Sequence, residues 1–377
     1  MDKLALVLDI GTTGIKALLF DEQNQIVKKV YKKIGKVFPE EGWVEQDPQE
    51  LLDVSRTLLR EVCDDVDLHR IVGMGITNQR ETTIIWDKIT GEPVYPAIVW
   101  EDARTKAYCE QIKQTHESTI NNKTGLTSDS YFSASKIHWI LNNVSVPETA
   151  RFGTVDTWIL WNLCKDQPHV TDCTNASRTL LYNIRDAAWD SELLDIFQVP
   201  ESLLPDVLPS QSLFGELQED VVGTNLPVRA VAGDQQASLF AAGTSTHTTK
   251  VTYGTGAFLV QVIGDTFQHH APFFTTLVPG KDCSLFALEA KVADCGRRVD
   301  DALEDDAKLR RVIEEIAHEV DAYIKRLPTT PKEIVIDGGV VRDGIMKEVQ
   351  ERISGIPVVQ QDPFDGTALG VAKLIFD

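Results

Sequence analysis

The 377-residue sequence contains no apolar run approaching the ~20 residues that a bilayer-spanning helix requires. Its first residues lack a basic stretch followed by a longer apolar segment and a cleavage site, so no secretory leader is expected and a cytoplasmic location is. The six cysteines, Cys63, Cys109, Cys164, Cys173, Cys283 and Cys295, form neither a CxxC pair nor a metal-ligand spacing. They are expected to be reduced thiols and not a disulfide frame. Basic residues are in deficit: 37 Lys and Arg stand against 57 Asp and Glu, a formal net charge of -20. That argues against nucleic acid or an anionic membrane as a partner. It does not exclude an anionic nucleotide, because backbone N–H groups and Mg²⁺ dominate such a site locally. Neither a Walker A sequence nor a protein-kinase Gly-rich loop is present. What remains, 42% apolar and 25% charged, is the composition of a soluble globular protein long enough for two or three cored domains.

The stretch that organises the rest is Val231-Ala-Gly-Asp-Gln-Gln-Ala237. A buried strand ends at Gly233 and puts Asp234 at its mouth. A carboxylate there is costly unless it is paired, hydrated or used. It can also serve as the N-cap of a helix over Gln235 to Ala242.

Upstream, Leu4 to Ile10, Ala17 to Phe20 and Ile26 to Ile34 are apolar runs joined by short connections, the pattern of an antiparallel meander. The first turn, Gly11-Thr-Thr-Gly14 after Asp9, can hold a phosphate or be a plain hairpin turn. Pro48 to Val62 has helical periodicity, and Ile71 to Ile76 and Ile84 to Trp86 read as strands. Arg80 and Glu81 therefore sit on a loop between buried strands, either as a salt-bridged turn or as a donor–acceptor clamp for adjacent hydroxyls. A helix is predicted to start at Glu101 and another to run from Tyr131 to Asn143, while Val170 to Ser177 reads as loop. Proline breaks Leu203 to Pro209, so a boundary is expected shortly after it; the domains are placed at 1–226 and 227–377. In the second half, Val251-Thr-Tyr-Gly-Thr-Gly-Ala-Phe-Leu-Val260, strand–glycine turn–strand, echoes Asp9 to Leu19 and suggests an internal duplication. Glu333 to Ile336 is a strand, and Gly338-Gly339 turns it toward a helix over Ile345 to Ile353, leaving room for an adenosine or making a tight turn.

Taken together, Gly75 to Trp100, Tyr131 to Asn143, Gly153 to Trp158, Thr174-Asn-Ala-Ser-Arg178, Gly233-Asp-Gln-Gln236 and Tyr253-Gly-Thr-Gly256 resemble the FGGY carbohydrate kinase family, in particular its glycerol-phosphorylating members. The resemblance implies an α/β fold of two ribonuclease H-like domains, as in actin and sugar kinases, with an interdomain cleft. It implies ATP-dependent phosphorylation of glycerol, with Mg²⁺ and ATP required; a homo-oligomer is compatible with it. Arg80, Glu81, Tyr131, Asp234 and Gln235 fall where the family binds the polyol, and Trp100 and Phe258 where it packs on the carbon chain. Asp234 is then the general base, and Asp9 and Asp234 face Mg²⁺. Thr12, Thr13, Lys16, Thr255, Gly256, Gly338 and Gly339 fall around the nucleotide.

The chain also departs from the family. Ile10 and Lys16 stand where glycerol-phosphorylating members carry Gln and Arg. Glu289 to Arg298 passes almost directly to the helix from Leu309, so the second domain is shortened between about 290 and 305. Val340 to Gly344 lacks the asparagine the family offers to adenine. Alternatives are a kinase for another small sugar or polyol, or a non-catalytic glycerol-binding regulator.

Overall fold

The computed structural model describes residues 2–254, 256–341, 344–362 and 365–377. Two compact units emerge. One comprises Met1–Asp234, Pro279–Cys283 and Val371–Asp377, the other Gln235–Val278 and Ser284–Gly370. The division falls eight residues later than the expected 226/227, because the strand Pro227–Gly233 pairs in parallel with Ile71–Asn78 of the first unit.

The sheet of the first unit is built from β1 (Leu4–Ile10), β2 (Gly14–Asp21), β3 (Ile26–Lys33), β4 (Ile71–Asn78), β5 (Gln211–Glu216) and β6 (Pro227–Gly233). Their order is β5-β6-β4-β1-β2-β3. The meander β1-β2-β3 is antiparallel, and β4 and β6 run parallel to β1. β1 is buried along its whole length, as its unbroken apolar run requires of a strand covered on both faces. The helix Pro48–Cys63, capped by Asp47, presents Leu51, Leu52, Leu58, Leu59 and Val62 to the core. Trp158 and Trp161 are core residues beside Trp86.

In the second unit β7 (Thr248–Tyr253), β8 (Ala257–Gly264), β9 (Phe274–Leu277), β10 (Phe286–Val292), β11 (Glu333–Asp337) and β12 (Val358–Gln360) form a sheet ordered β9-β10-β8-β7-β11-β12. β7, β8 and β10 repeat the antiparallel meander, and β11 and β12 add in parallel on its other side. Both sheets therefore share a five-stranded core of one topology, the ribonuclease H-like arrangement, with the sixth strand added on opposite edges, and the suggested duplication is a duplication of fold. A short helix, Cys295–Asp300, leads to Asp306–Ile324, whose Ile313, Ile316, Val320 and Ile324 fill the core.

Three local expectations fail for identifiable reasons. The helix expected from Glu101 starts at Lys106, because the Asp102 carboxylate binds the Val44 and Arg104 N–H groups and the Arg104 guanidinium, which holds 101–105 in turns. Val170–Asp172 is a strand paired in parallel with Asp206–Leu208, and Cys173–Ala176 is one helical turn capped by Asp172. Cys173 and Cys283, 110 residues apart with Cα atoms 6.5 Å apart, form a disulfide. Spacing rules read local pairs and were blind to one this distant. Cys63, Cys109, Cys164 and Cys295 are free and buried.

Candidate functional site

Ile10, Asn78 and Gly233 lie level across β1, β4 and β6. The chain thus leaves the sheet at one edge as Gly11, Gln79 and Asp234. Open α/β sheets bind ligands at the carboxyl ends of parallel strands, and these three departures make that edge here.

Beyond β4, Glu81 has φ +61° and is the centre of a turn closed by the Thr82 N–H donating to the Arg80 carbonyl at 2.7 Å. A γ-turn with positive central φ is rare and strained, and such strain concentrates at ligand sites. The turn is held on every side. The Ser133 hydroxyl donates to the Glu81 carbonyl at 3.0 Å, and Arg178 Nε donates to Glu81 Oε1 at 2.6 Å. It aims the buried Arg80 so that Nε lies 3.1 Å from Asp234 Oδ1, with a terminal nitrogen 3.4 Å from the Tyr131 hydroxyl. Trp100 meets the Tyr131 ring edge-on at 5.5 Å, and its indole N–H donates to the Thr12 hydroxyl at 2.9 Å. Of the three charged side chains here, that of Asp234 is 28% exposed and those of Arg80 and Glu81 are 2% exposed. One cation, two carboxylates and a phenol gather beside an indole face, a polar cluster with an apolar neighbour, a chemistry suited to a short polyhydroxylated chain.

A second, fully buried layer fixes the strand ends. Asn78 and Asn175 exchange reciprocal side-chain hydrogen bonds of 3.0 and 3.1 Å, and Asn78 also reaches Asp156. Asp172 accepts from Ser210, Thr174 and Asn175, and Thr174 Oγ1 accepts from the N–H of Gly233, the residue before Asp234. Burial raises the carboxyls of both Asp156, to about 6, and Asp172.

The Gly11–Gly14 turn is closed by the Gly11 N–H on the Gly14 carbonyl at 3.1 Å. Thr12 is engaged through Trp100, and the Thr13 carbonyl accepts from the Ile34 N–H. Asp9, nearly buried at the end of β1, pairs with Lys16 Nζ at 3.0 Å. Asp9 and Asp234 thus emerge from strands two spacings apart, roughly 9–10 Å. That is a sparse set of hard oxygen donors, fitting a magnesium ion that keeps waters and phosphate oxygens as its other ligands. Among the described residues no cluster of three or more His, Cys, Asp or Glu offers a fuller cage.

Gln235, Gly256, Phe258, Gly338 and Gly339 belong to the second unit. There the Gly254 N–H bonds the Gly256 carbonyl, repeating the Gly11–Gly14 closure, and Lys291 lies over the Phe258 ring at 5.6 Å. Gly338 has φ +99°, and a Cβ there would lie 2.2 Å from the Tyr253 carbonyl oxygen, so only glycine fits where β11 leaves the sheet beside β7. Beside it the buried Asp337 pairs with Lys250 and accepts from the Ser238 hydroxyl. Thr255, Arg342 and Asp343 lie outside the described residues.

Sequence reasoning missed the roles of Arg178 and Lys136. Both stood inside quoted motifs; the signal was a long cation in a run of small or apolar residues, which must find buried partners.

The model of the FGGY family of carbohydrate kinases, N-terminal domain, matches residues 4–241. A glycerol kinase of Burkholderia pseudomallei is 48% identical over 78% of this chain and 61% of its own length. One from Burkholderia ambifaria is 47% identical over 70% and 55%. This chain therefore spans little more than half of those relatives. Glycerol kinase 1 of Clostridium tetani is 35% identical over 99% of this chain and 89% of its own. That alignment runs to 446 positions against 377 residues here, so the relative carries segments this chain lacks. Among solved structures, Plasmodium falciparum glycerol kinase with ADP superposes with a TM-score of 0.91 at 27% identity, covering 99% of this chain and 89% of that one. A ligand-bound xylulose kinase from Lactobacillus acidophilus shares the fold, with a TM-score of 0.88 at 18% identity. The chain belongs to the FGGY family of carbohydrate kinases.

Proposed function

We propose that the protein transfers the γ-phosphoryl group of ATP to a primary hydroxyl of glycerol, giving glycerol 3-phosphate and ADP. The observation that carries this reading is the set Arg80, Glu81, Tyr131 and Asp234 gathered against Trp100. Arg80 donates to one substrate hydroxyl, and Glu81, set by Arg178, accepts from its neighbour. Trp100 packs on the carbon chain. The accessible Asp234 takes the proton as the hydroxyl oxygen attacks phosphorus. In the first unit Thr12 and the Gly11–Gly14 turn supply donors for phosphate oxygens, and in the second unit the family resemblance assigns Gly256, Gly338 and Gly339 to the nucleotide. Asp9 and Asp234 would hold a magnesium ion, whose charge would offset that of the phosphate oxygens; with positioning, that is most of what phosphoryl transfer requires. Lys16, paired with Asp9, acts on the same side. A cytoplasmic setting fits these substrates, and no described helix is long and apolar enough to cross a membrane.

Two isothermal titrations test the reading, one with glycerol and one with ATP and Mg²⁺. Binding of both, followed by turnover, is expected. Glycerol binding without nucleotide binding would replace the kinase with a glycerol-binding regulator. Preference for a longer polyol in a coupled assay would move the substrate and keep the chemistry.

A further inference from the structure

Lys136 is fully buried in the first turn of the helix Ser133–Asn143. A cation is doubly disfavoured there, by desolvation and by the helix N-terminus. Among the described residues no carboxylate forms an ion pair with it. Its ammonium instead turns back along the chain and donates to three consecutive backbone carbonyls, Ser130 at 2.6 Å, Tyr131 at 2.8 Å and Phe132 at 3.2 Å. Asp129 holds the same segment from its N–H side, its carboxylate accepting from the Tyr131 N–H at 2.8 Å and its carbonyl from the Phe132 N–H. Tyr131 leaves this clamped turn to stand between Trp100 and Arg178, its hydroxyl toward Arg80.

We propose that Lys136 is a positioning residue for Tyr131, and that it performs this task only as the charged, three-donor ammonium. An ammonium has three N–H groups for three carbonyl oxygens. A neutral amine has two and a lone pair. On deprotonation one carbonyl loses its donor and faces that lone pair, and the turn carrying Tyr131 is released on that side. Burial lowers the lysine to about 8, inside the range where proteins are handled. The titratable groups around it are Glu81, Asp102, Cys109 and Asp129, all of which act to raise it.

The two consequences of titration run in opposite directions. Between about 8 and the ordinary lysine value of 10.5 the unfolded chain binds the proton and the folded chain does not. This group's contribution to stability therefore rises with pH across that window. The grip on Tyr131, and with it affinity for the polyol, falls across the same window. A purely structural lysine would move stability and affinity together.

The test has a ligand-free arm and a glycerol arm; only the second rests on the polyol reading of the site. In the intact protein, hydrogen exchange of residues 129–133 is followed by mass spectrometry from pH 7 to 9 and corrected for the intrinsic pH dependence of exchange. Glycerol affinity is titrated over the same range, for wild type and Lys136→Met. In wild type, protection of the turn is expected to fall above pH 8 and the glycerol Kd to rise about tenfold, the loss of one buried hydrogen bond. In Lys136→Met both should be weak and independent of pH, with nucleotide affinity unchanged. A wild-type turn and affinity that stay flat from pH 7 to 9 overturn the proposal even if the variant fails to fold, as does a Lys136→Met protein with wild-type protection and affinity. Loosening of the turn in a protein that binds no glycerol at any pH upholds the positioning of Tyr131 and refutes the substrate.

Discussion

Arg178→Met removes the guanidinium that sets Glu81. Arg178 is fully buried, donates to Glu81 Oε1 at 2.6 Å, and lies 5.5 Å from the Tyr131 ring and 5.0 Å from that of Phe132. Breaking a buried ion pair by deleting one partner costs ~3–5 kcal/mol, because the other charge stays buried. Glu81 keeps a weaker contact, Arg80 Nε at 3.8 Å, so the lower end applies, about 3 kcal/mol. All seven tryptophans, 43, 86, 100, 139, 158, 161 and 189, lie in the first unit, so their fluorescence isolates its urea transition from that of the second. The midpoint should fall with little change in slope. Glu81→Gln in the same background should restore much of the loss, since the stranded charge is gone. A loss below about 1 kcal/mol, or strict additivity of the two changes, would show that Arg178 does not set Glu81.

Arg80→Ala removes the donor proposed for one substrate hydroxyl, an interaction to a charged group worth ~1–3 kcal/mol, so the glycerol Kd in calorimetry should rise ~10- to 100-fold. The Clostridium tetani relative carries segments this chain lacks, and the sequence expectation puts that shortening between about 290 and 305; on that expectation nucleotide binding at saturating Mg²⁺ and glycerol should be weak, with little preference for ATP over GTP. Tight, strongly ATP-selective binding would show a complete adenosine pocket. Asp156, raised from 3.8 to about 6 by burial, stabilises the fold fully below about 3.8 and loses that contribution as pH rises through about 6. Asp156→Asn should therefore flatten the pH dependence of the tryptophan-reported transition between pH 4 and 6.

Much of this was legible in residues alone. Apolar runs gave β1 and the meander, and glycine-bounded strand ends marked the turn after Asp9 and the mouth at Asp234; that these lie at one edge comes from the pairing of β1, β4 and β6. Alternation and turn signals do not report pairing over long separations. That is why the boundary slipped by a strand: β6 looks like an opening strand until its register with β4 is known. The same holds for Cys173 and Cys283. Around the candidate site, the polar residues at strand ends and turns stand out in the sequence and the side chains that hold them do not. Arg178 and Lys136 act through buried contacts of the segments 81 and 130–132, and a one-dimensional reading sees a cation without seeing what it holds.

The central claim is that Asp234 deprotonates glycerol for attack on ATP. Phosphorus NMR of wild type and Asp234→Asn with glycerol, ATP and Mg²⁺ tests it most directly. Wild type should accumulate glycerol 3-phosphate and ADP in equal amounts. The variant should bind glycerol and lose ~10²–10⁴ in rate, the usual weight of a general base. Near wild-type turnover in Asp234→Asn, or no glycerol 3-phosphate from a wild type that binds both substrates, would contradict it.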